Sequence, residues 1–240
     1  MADFEPLNAQ FSEEEVSDPT FAVALMSYLQ LPNNRNVSMN ILHIDCSPRA
    51  ASHSRRLSAA IVARLLTDHP DARVTRRDLG RDPIPHPAPD YASALASPEA
   101  LAIGLKNGAT HLSEKLILEL EDADALVIGT PMNNFTVPSV LKAWIDQIVR
   151  IGRGFALSPD GVKVGLFQDR PVYVAIASGG LFTGDDARQP DFLTPYLAAA
   201  LGSVGLTRLQ FFPLQGTAFR TPMQLAEDEA TLLAALQSSR

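Results

Sequence analysis

The feature that most constrains this chain is an uninterrupted apolar run, residues 125–128 (ALVI), closed by Gly129 and Thr130 and followed at once by the proline-bearing stretch PMNNFTVP at 131–138. A strand without polar alternation belongs where both faces are covered, so the run predicts a central strand of a parallel sheet. Parallel strands need crossovers. Val137, Val140, Leu141, Trp144, Ile145 and Ile148 recur at helical spacing, and Pro138 fits the first turn, where its missing N–H costs nothing. Met132, Asn133, Asn134 and Phe135 then lie at the carboxyl end of a parallel strand, where open α/β sheets bind ligands. Alone, such a strand, loop and helix fit any α/β connection.

The same alternation runs through residues 39–240. Strands are expected at 40–45, 73–78, 125–128, 172–177 and 207–212. Helices are expected at 54–69, at a Leu-, Glu- and Lys-rich segment ending near Asp122, after Pro138, at about 191–204, and from about Pro222. Residues 80–98 read as a long proline-rich loop, and Asp160-Gly161 as the tip of a hairpin-like excursion. Five βα units imply an α/β fold with a doubly wound, five-stranded parallel sheet of order 2-1-3-4-5 and helices on both faces. That order gathers three carboxyl-end loops around one crevice, at residues 46–54, 130–137 and 178–190. No internal repeat or low-complexity segment interrupts the pattern.

Residues 1–38 differ in character. They hold six acidic residues against Arg35 alone, so they carry −5 of the net −7 and leave residues 39–240 at −2. They are expected to form an acidic N-terminal extension to one domain over 39–240. It is either a mobile tail, with Met39 a second possible start, or an arm that packs on a partner subunit through residues 21–31. The nearly neutral remainder offers no basic stripe for nucleic acid and no polybasic patch for a membrane surface. No apolar run is long enough to span a bilayer, and no basic segment precedes one as in a secretory signal. Cys46 is the single cysteine, which excludes an intrachain disulfide and a cysteine-based zinc cluster and points to a reducing, cytoplasmic setting. His43, His53, His69, His86 and His111 show no metal-ligand spacing, so no metal is expected. Neither a nucleotide-hydrolysing P-loop nor a GxSxG elbow is present. IGRGFA at 151–156 follows a helix and lacks the third glycine of a dinucleotide fingerprint.

The first loop, CSPRAASHS, places Ser47, Ser52, His53 and Ser54 before a helix, with Ser54 the expected N-cap. Hydroxyls, free backbone N–H groups and the helix dipole together suit a monophosphate. The second loop sets the Asn133 and Asn134 amides beside Met132 and Phe135, a mixture that suits a flat ring with polar edges. In the third loop, Ala177, Ser178, Gly179 and Gly180 let backbone approach such a ring closely. Phosphate at one end and a heteroaromatic ring at the other describe FMN.

At these loops the chain resembles the FMN-dependent NADH:quinone oxidoreductases, often called azoreductases. The likeness covers essentially Met39 onward. It rests on SHS at 52–54, PMNNF with LKAWID and RIGRGF after it, SGG at 178–180, and TPYLAAALGSVGL at 194–206. The resemblance implies a flavodoxin-like fold and a homodimer with its active sites at the interface. It implies flavin binding by Ser47, Ser52 to Ser54, Met132 to Phe135 and Ala177 to Gly180. It further implies two-electron transfer from NADH or NADPH, through flavin N5, to a quinone or azo compound by a ping-pong mechanism. No dedicated acid or base is then required, and Asn134 and Phe135 are the candidates for shaping the substrate side. Relatives commonly carry an aromatic residue in place of Asn133, a serine in place of Cys46 and an arginine in place of Ser178. The competing expectation is a flavodoxin-like single-electron carrier or a redox-sensing flavoprotein without turnover. The near-neutral surface of residues 39–240 disfavours a carrier, which needs a charged docking face.

Overall fold

The computed structural model describes residues 38–236. Expectations for the N-terminal extension fall almost wholly on residues outside that range. Five parallel strands form the main sheet: β1 (Asn40–Asp45), β2 (Arg73–Asp78), β3 (Ala125–Pro131), β6 (Val172–Ala177) and β7 (Leu209–Leu214). Their order is β2-β1-β3-β6-β7. This is the expected 2-1-3-4-5 order once two short strands, β4 (Phe155–Leu157) and β5 (Lys163–Gly165), are set aside as a separate antiparallel hairpin. That hairpin is the predicted excursion, with Gly161 at positive φ in its turn.

The crossover helices are α1 (His53–Asp68), α2 (Pro89–Ala94), α3 (Pro98–Asn107), α4 (His111–Glu121), α5 (Ser139–Ile148) and α6 (Thr194–Gly202), and α7 (Pro222–Ala234) follows the last strand. Several expectations need correction. The proline-rich segment 80–98 is not all loop: Pro89 at N1 starts the short α2. The single helix expected before Asp122 is two, because Gly108 takes the left-handed conformation (φ 88) as the C-cap of α3. Pro138 is the extended N-cap of α5 rather than part of its first turn. α6 starts at Thr194 because Asp191 turns the chain there, accepting from the Leu193 and Thr194 N–H groups at 2.9 Å. β7 runs two residues further than expected, through Pro213, and tolerates it because β7 is an edge strand paired only with β6.

Alternate strand residues divide between two core clusters, as strand periodicity requires. Leu42, Ile44, Leu126, Ile128, Val172, Val174 and Ile176 pack with side chains of α4, α5 and α6, among them Leu116, Trp144 and Leu197. Ile41, Ala125, Val127, Tyr173, Ala175 and Phe212 pack with Leu57, Ile61 and Leu65 of α1 and Leu225 of α7. β2, paired on one side only, exposes most of its polar sequence RVTRRD. Among the described residues no helix is long and apolar enough to cross a membrane.

Candidate functional site

Backbone bonds bring the three loops to one edge of the sheet. The Cys46 N–H donates to the Gly129 carbonyl at 2.8 Å, and the Met132 N–H donates to the Ala177 carbonyl at 2.9 Å. The carboxyl ends of β1, β3 and β6 are therefore laced together in that order.

The first loop leads into α1 with Ser52, not Ser54, at the N-cap (φ −81, ψ 138). Ser54 already lies in the first helical turn, and its hydroxyl pairs with that of Ser52 at 2.9 Å. An N-cap at Ser52 suits an anion at the start of α1. The Ser52 side chain makes no cap hydrogen bond and the first turn holds no acid, so among the described residues no side chain accepts from the helix's first N–H groups. His53 Nδ1 is buried and has no hydrogen-bond partner among the described residues. Burial first, then the charges of Arg56 and Arg49, lowers the His53 pKa. Ser47, Ser52 and Ser54 are buried while Arg49 is exposed.

A clamp that sequence spacing did not reveal holds this loop. Arg55 is buried and donates through Nε to the Ser47 carbonyl at 2.8 Å, bonds Asp78 at the end of β2, and lies 3.4 Å from Asp45. Gly80 is needed beside it, because a Cβ there would sit 2.1 Å from the Ser47 oxygen. Asp45 also accepts from Arg76 Nη2 at 2.6 Å and from Ser58 Oγ at 3.1 Å, with His43 Nε2 at 3.5 Å. Burial alone would raise its pKa; the His43 and Arg76 hydrogen bonds and the charges of His43 and Arg55 outweigh it and hold the carboxyl at about 2. Burial pushes the Cys46 thiol up, which makes it an inert member of the core.

The second loop is a tight two-residue turn. Asn133 and Thr136 exchange both backbone hydrogen bonds, at 2.9 and 3.1 Å, around Asn134 (φ 47) and Phe135 (φ 72). Asn tolerates this conformation; a phenylalanine there is strained. The strain is held from outside. The Phe192 N–H donates to the Phe135 carbonyl at 3.0 Å, and Thr136 Oγ1 donates to the Phe192 carbonyl at 3.2 Å. Asn133, Asn134 and Phe135 are left exposed and Met132 half-buried.

Two elements that the sequence reading overlooked brace the third loop. Gln189 Nε2 donates to Ser178 Oγ at 3.0 Å and to Met132 Sδ at 3.2 Å, joining the third loop to the second. The loop after β7 backs it as well, with Thr217 donating to the Ser178 carbonyl through both N–H and hydroxyl. Ser178 is buried, Gly179 exposed and Gly180 half-buried. Among the described residues no cluster of His, Cys, Asp or Glu could hold a metal ion.

Residues 39–238 match the family model described as a flavodoxin-like fold. An FMN-dependent NADH:quinone oxidoreductase of Pseudomonas fluorescens is 49% identical over 181 residues, covering 75% of this chain and 85% of the relative. The chain belongs to the FMN-dependent NADH:quinone oxidoreductase family. A second member, from Burkholderia lata, is 46% identical over 180 residues, covering 75% of this chain and 86% of its own. The crystal structure of an azoreductase from Bacillus anthracis superimposes with a TM-score of 0.69 over 82% of this chain and 95% of that one, at 24% identity. At that identity the likeness speaks for the fold. The three loops of this quinone oxidoreductase family member thus stand at the carboxyl edge where the fold places its ligand.

Proposed function

We propose that the chain is an FMN-dependent oxidoreductase that carries two electrons from NADH or NADPH to quinones and aromatic azo compounds. The observation that carries the reading is the uncapped start of α1, laced through β1, β3 and β6 to the strained turn at Asn134 and Phe135 and to the glycine-bearing third loop. Family membership supports the same cofactor and reaction.

The residues fit the flavin by type. Ser47, Ser52, His53 and Ser54 offer hydroxyls, free N–H groups and the orphan His53 Nδ1 to the phosphate. Met132, Asn133, Asn134 and Phe135 on one side, and Ala177, Ser178, Gly179 and Gly180 on the other, would hold the ring. FMN held by these residues would supply the redox chemistry, two-electron exchange at N5 between donor and acceptor in a ping-pong cycle. The chain's own work is binding and positioning. Arg55 fixes the Ser47 carbonyl, Gln189 fixes Ser178 against Met132, and Phe135, 44% exposed, offers an apolar ring to a flat acceptor such as a quinone. No protein acid or base is assigned.

The layered reading extends to a single reductase domain over residues 39–240 with helices on both faces of the sheet, supported by the two core clusters. A homodimer is supported by exposed Phe192, Phe219 and Met223, and by Leu157, Val162 and Val164 on the hairpin. A single buried thiol suits a reducing, cytoplasmic setting.

The test is direct. Purified protein titrated with FMN should quench flavin fluorescence at one site per chain, and the loaded protein should oxidise NADH or NADPH in the presence of menadione. Failure to bind FMN would overturn the cofactor assignment. Bound FMN without turnover, or a stable one-electron semiquinone on titration, would replace the enzyme reading with a sensor or carrier.

A further inference from the structure

A recess of about 500 Å3 opens beside the first loop, outside the cluster of residues assigned to the flavin ring, and its lining is chemically one-sided. Ala50, Ala51 and Ser52 form one wall. Arg55 and Arg56 come from the first turn of α1, Arg76 from β2, and Arg81 from the turn after β2. None of the seven lining residues carries a carboxylate.

The acids that balance these arginines lie outside the lining. Asp45 is fully buried and accepts from Arg76 at 2.6 Å; Asp78 holds Arg55 and is 4.0 Å from Arg81; Glu229 of α7 takes Arg56 at 2.7 Å. Arg56, Arg76 and Arg81 nonetheless keep 53, 57 and 61% of their side-chain surface exposed. Each guanidinium has five N–H donors, and these pairings leave several free. Charge is therefore layered, carboxylates beneath or aside and guanidinium groups outward. This is not the by-product of a basic protein, since residues 39–240 carry a net charge of −2.

The shape of the cluster selects its occupant. A planar carboxylate meets one guanidinium fork, whereas forks arriving from a helix, a strand and a turn suit the several oxygens of a tetrahedral oxyanion. Ser52 adds a hydroxyl at the positive end of α1, and the two alanines leave room for more than the anion itself. Ser52 also belongs to the proposed flavin phosphate cradle, so the recess adjoins that cradle. Of the reactants proposed above, the nicotinamide dinucleotide is the one that brings phosphates besides that of FMN, and the shared Ser52 puts the recess next to the flavin.

We propose that this recess is a second phosphate site, separate from the flavin phosphate cradle, and that it receives a phosphate of the nicotinamide dinucleotide donor. The inference rests on the donor chemistry proposed above. Calorimetric titration of the FMN-loaded protein with 5′-AMP, 2′,5′-ADP, inorganic phosphate and adenosine tests it, with Arg81→Gln and Arg56→Gln as variants at exposed positions. At least one phosphate-bearing probe should bind, adenosine should bind at least tenfold more weakly, and each variant should weaken the phosphate-bearing probe about tenfold. If 2′,5′-ADP exceeds 5′-AMP, the 2′-phosphate is the group held and NADPH the preferred donor. Steady-state kinetics then name the source: a rise in donor KM that exceeds any fall in kcat assigns the site to the dinucleotide. Probe affinities that do not change in either variant, or adenosine binding as tightly as 5′-AMP, would overturn the proposal. Phosphate loss in the variants without a change in donor KM would overturn the donor as its source. FMN binding, followed separately by fluorescence, keeps the two readings apart: a protein that binds the phosphate probes but not FMN retains this site and loses the proposed function.

Discussion

Asp45→Asn isolates the charge beneath the first loop. Asp45 ends β1, is fully buried, and meets Arg76, Arg55, Ser58 and His43. Its carboxyl is held at about 2 against 3.8 for a free aspartate. At 1.36 kcal/mol per pKa unit, that difference corresponds to about 2 kcal/mol of folded-state stability. The sign follows from proton binding. A carboxyl whose folded pKa lies below its unfolded value takes up a proton less readily when folded, so its contribution is complete above pH 4 and is lost as pH falls toward 2. Asparagine keeps the shape and removes the charge. Arg55 retains Asp78 and the Ser47 carbonyl, and Arg76 is half exposed, so the cost stays near the linkage value rather than the 3–5 kcal/mol expected of a stranded buried charge. Urea unfolding followed by the fluorescence of Trp144, the chain's single tryptophan and a buried one, reports stability at each pH. The gap between wild type and variant should be about 2 kcal/mol from pH 5 to 7 and should close progressively below pH 4. A gap of the same size at pH 7 and pH 2.5 would refute the electrostatic account and leave packing as the cause.

The other perturbations act on the loops themselves. At position 135, with φ at 72, Phe135→Gly should be more stable than Phe135→Ala by about 1 kcal/mol in urea unfolding, the reverse of the order in regular structure; equal stabilities would show that the positive φ is not strained. Gly80→Ala should cost more than 2 kcal/mol and weaken FMN binding together, because the added methyl meets the Ser47 carbonyl at 2.1 Å; a variant with wild-type FMN affinity would show that the first loop yields at no cost. Gln189→Leu removes the amide that joins Ser178 to Met132, and FMN affinity measured by fluorescence should fall by about fivefold, equivalent to one hydrogen bond of about 1 kcal/mol; unchanged affinity would assign Gln189 no part in holding the ring loops.

Much of the fold could be read from the chain because a parallel sheet writes itself in continuous apolar strands. Residues 125–128 and 172–177 are of that kind, and both became central strands. The errors fell where a local signal was outweighed. Prolines suggested a loop at 80–98, yet Pro89 sits at N1, the one helical position where proline is at home. The strand expected to stop at Phe212 runs on through Pro213, because on an edge strand the missing N–H breaks no second ladder. Helix periodicity alone could not place the break at Gly108, since apolar residues continue on both sides of it.

The loops could be located from topology, but their internal support could not, because it is made by side-chain pairings that no spacing announces. Ser178 is held by Gln189 and Thr217, 11 and 39 positions on, and the Ser47 carbonyl is held by Arg55 across the turn of α1. None of these residues carries a motif. The second loop shows the same limit most plainly. Asn-Asn-Gly would have announced a tight turn, whereas Asn-Asn-Phe places a bulky side chain in a conformation that it avoids when left to itself. The backbone bonds to Phe192 hold it there, so the local rule is broken where a tertiary contact enforces the cost. Chains break such rules mainly where geometry is needed for something other than folding, and here the break lies at the carboxyl end of β3, where the fold positions its ligand. Phe135 was thus legible in the sequence as a candidate residue but not in its conformation, which the contacts with Phe192 impose.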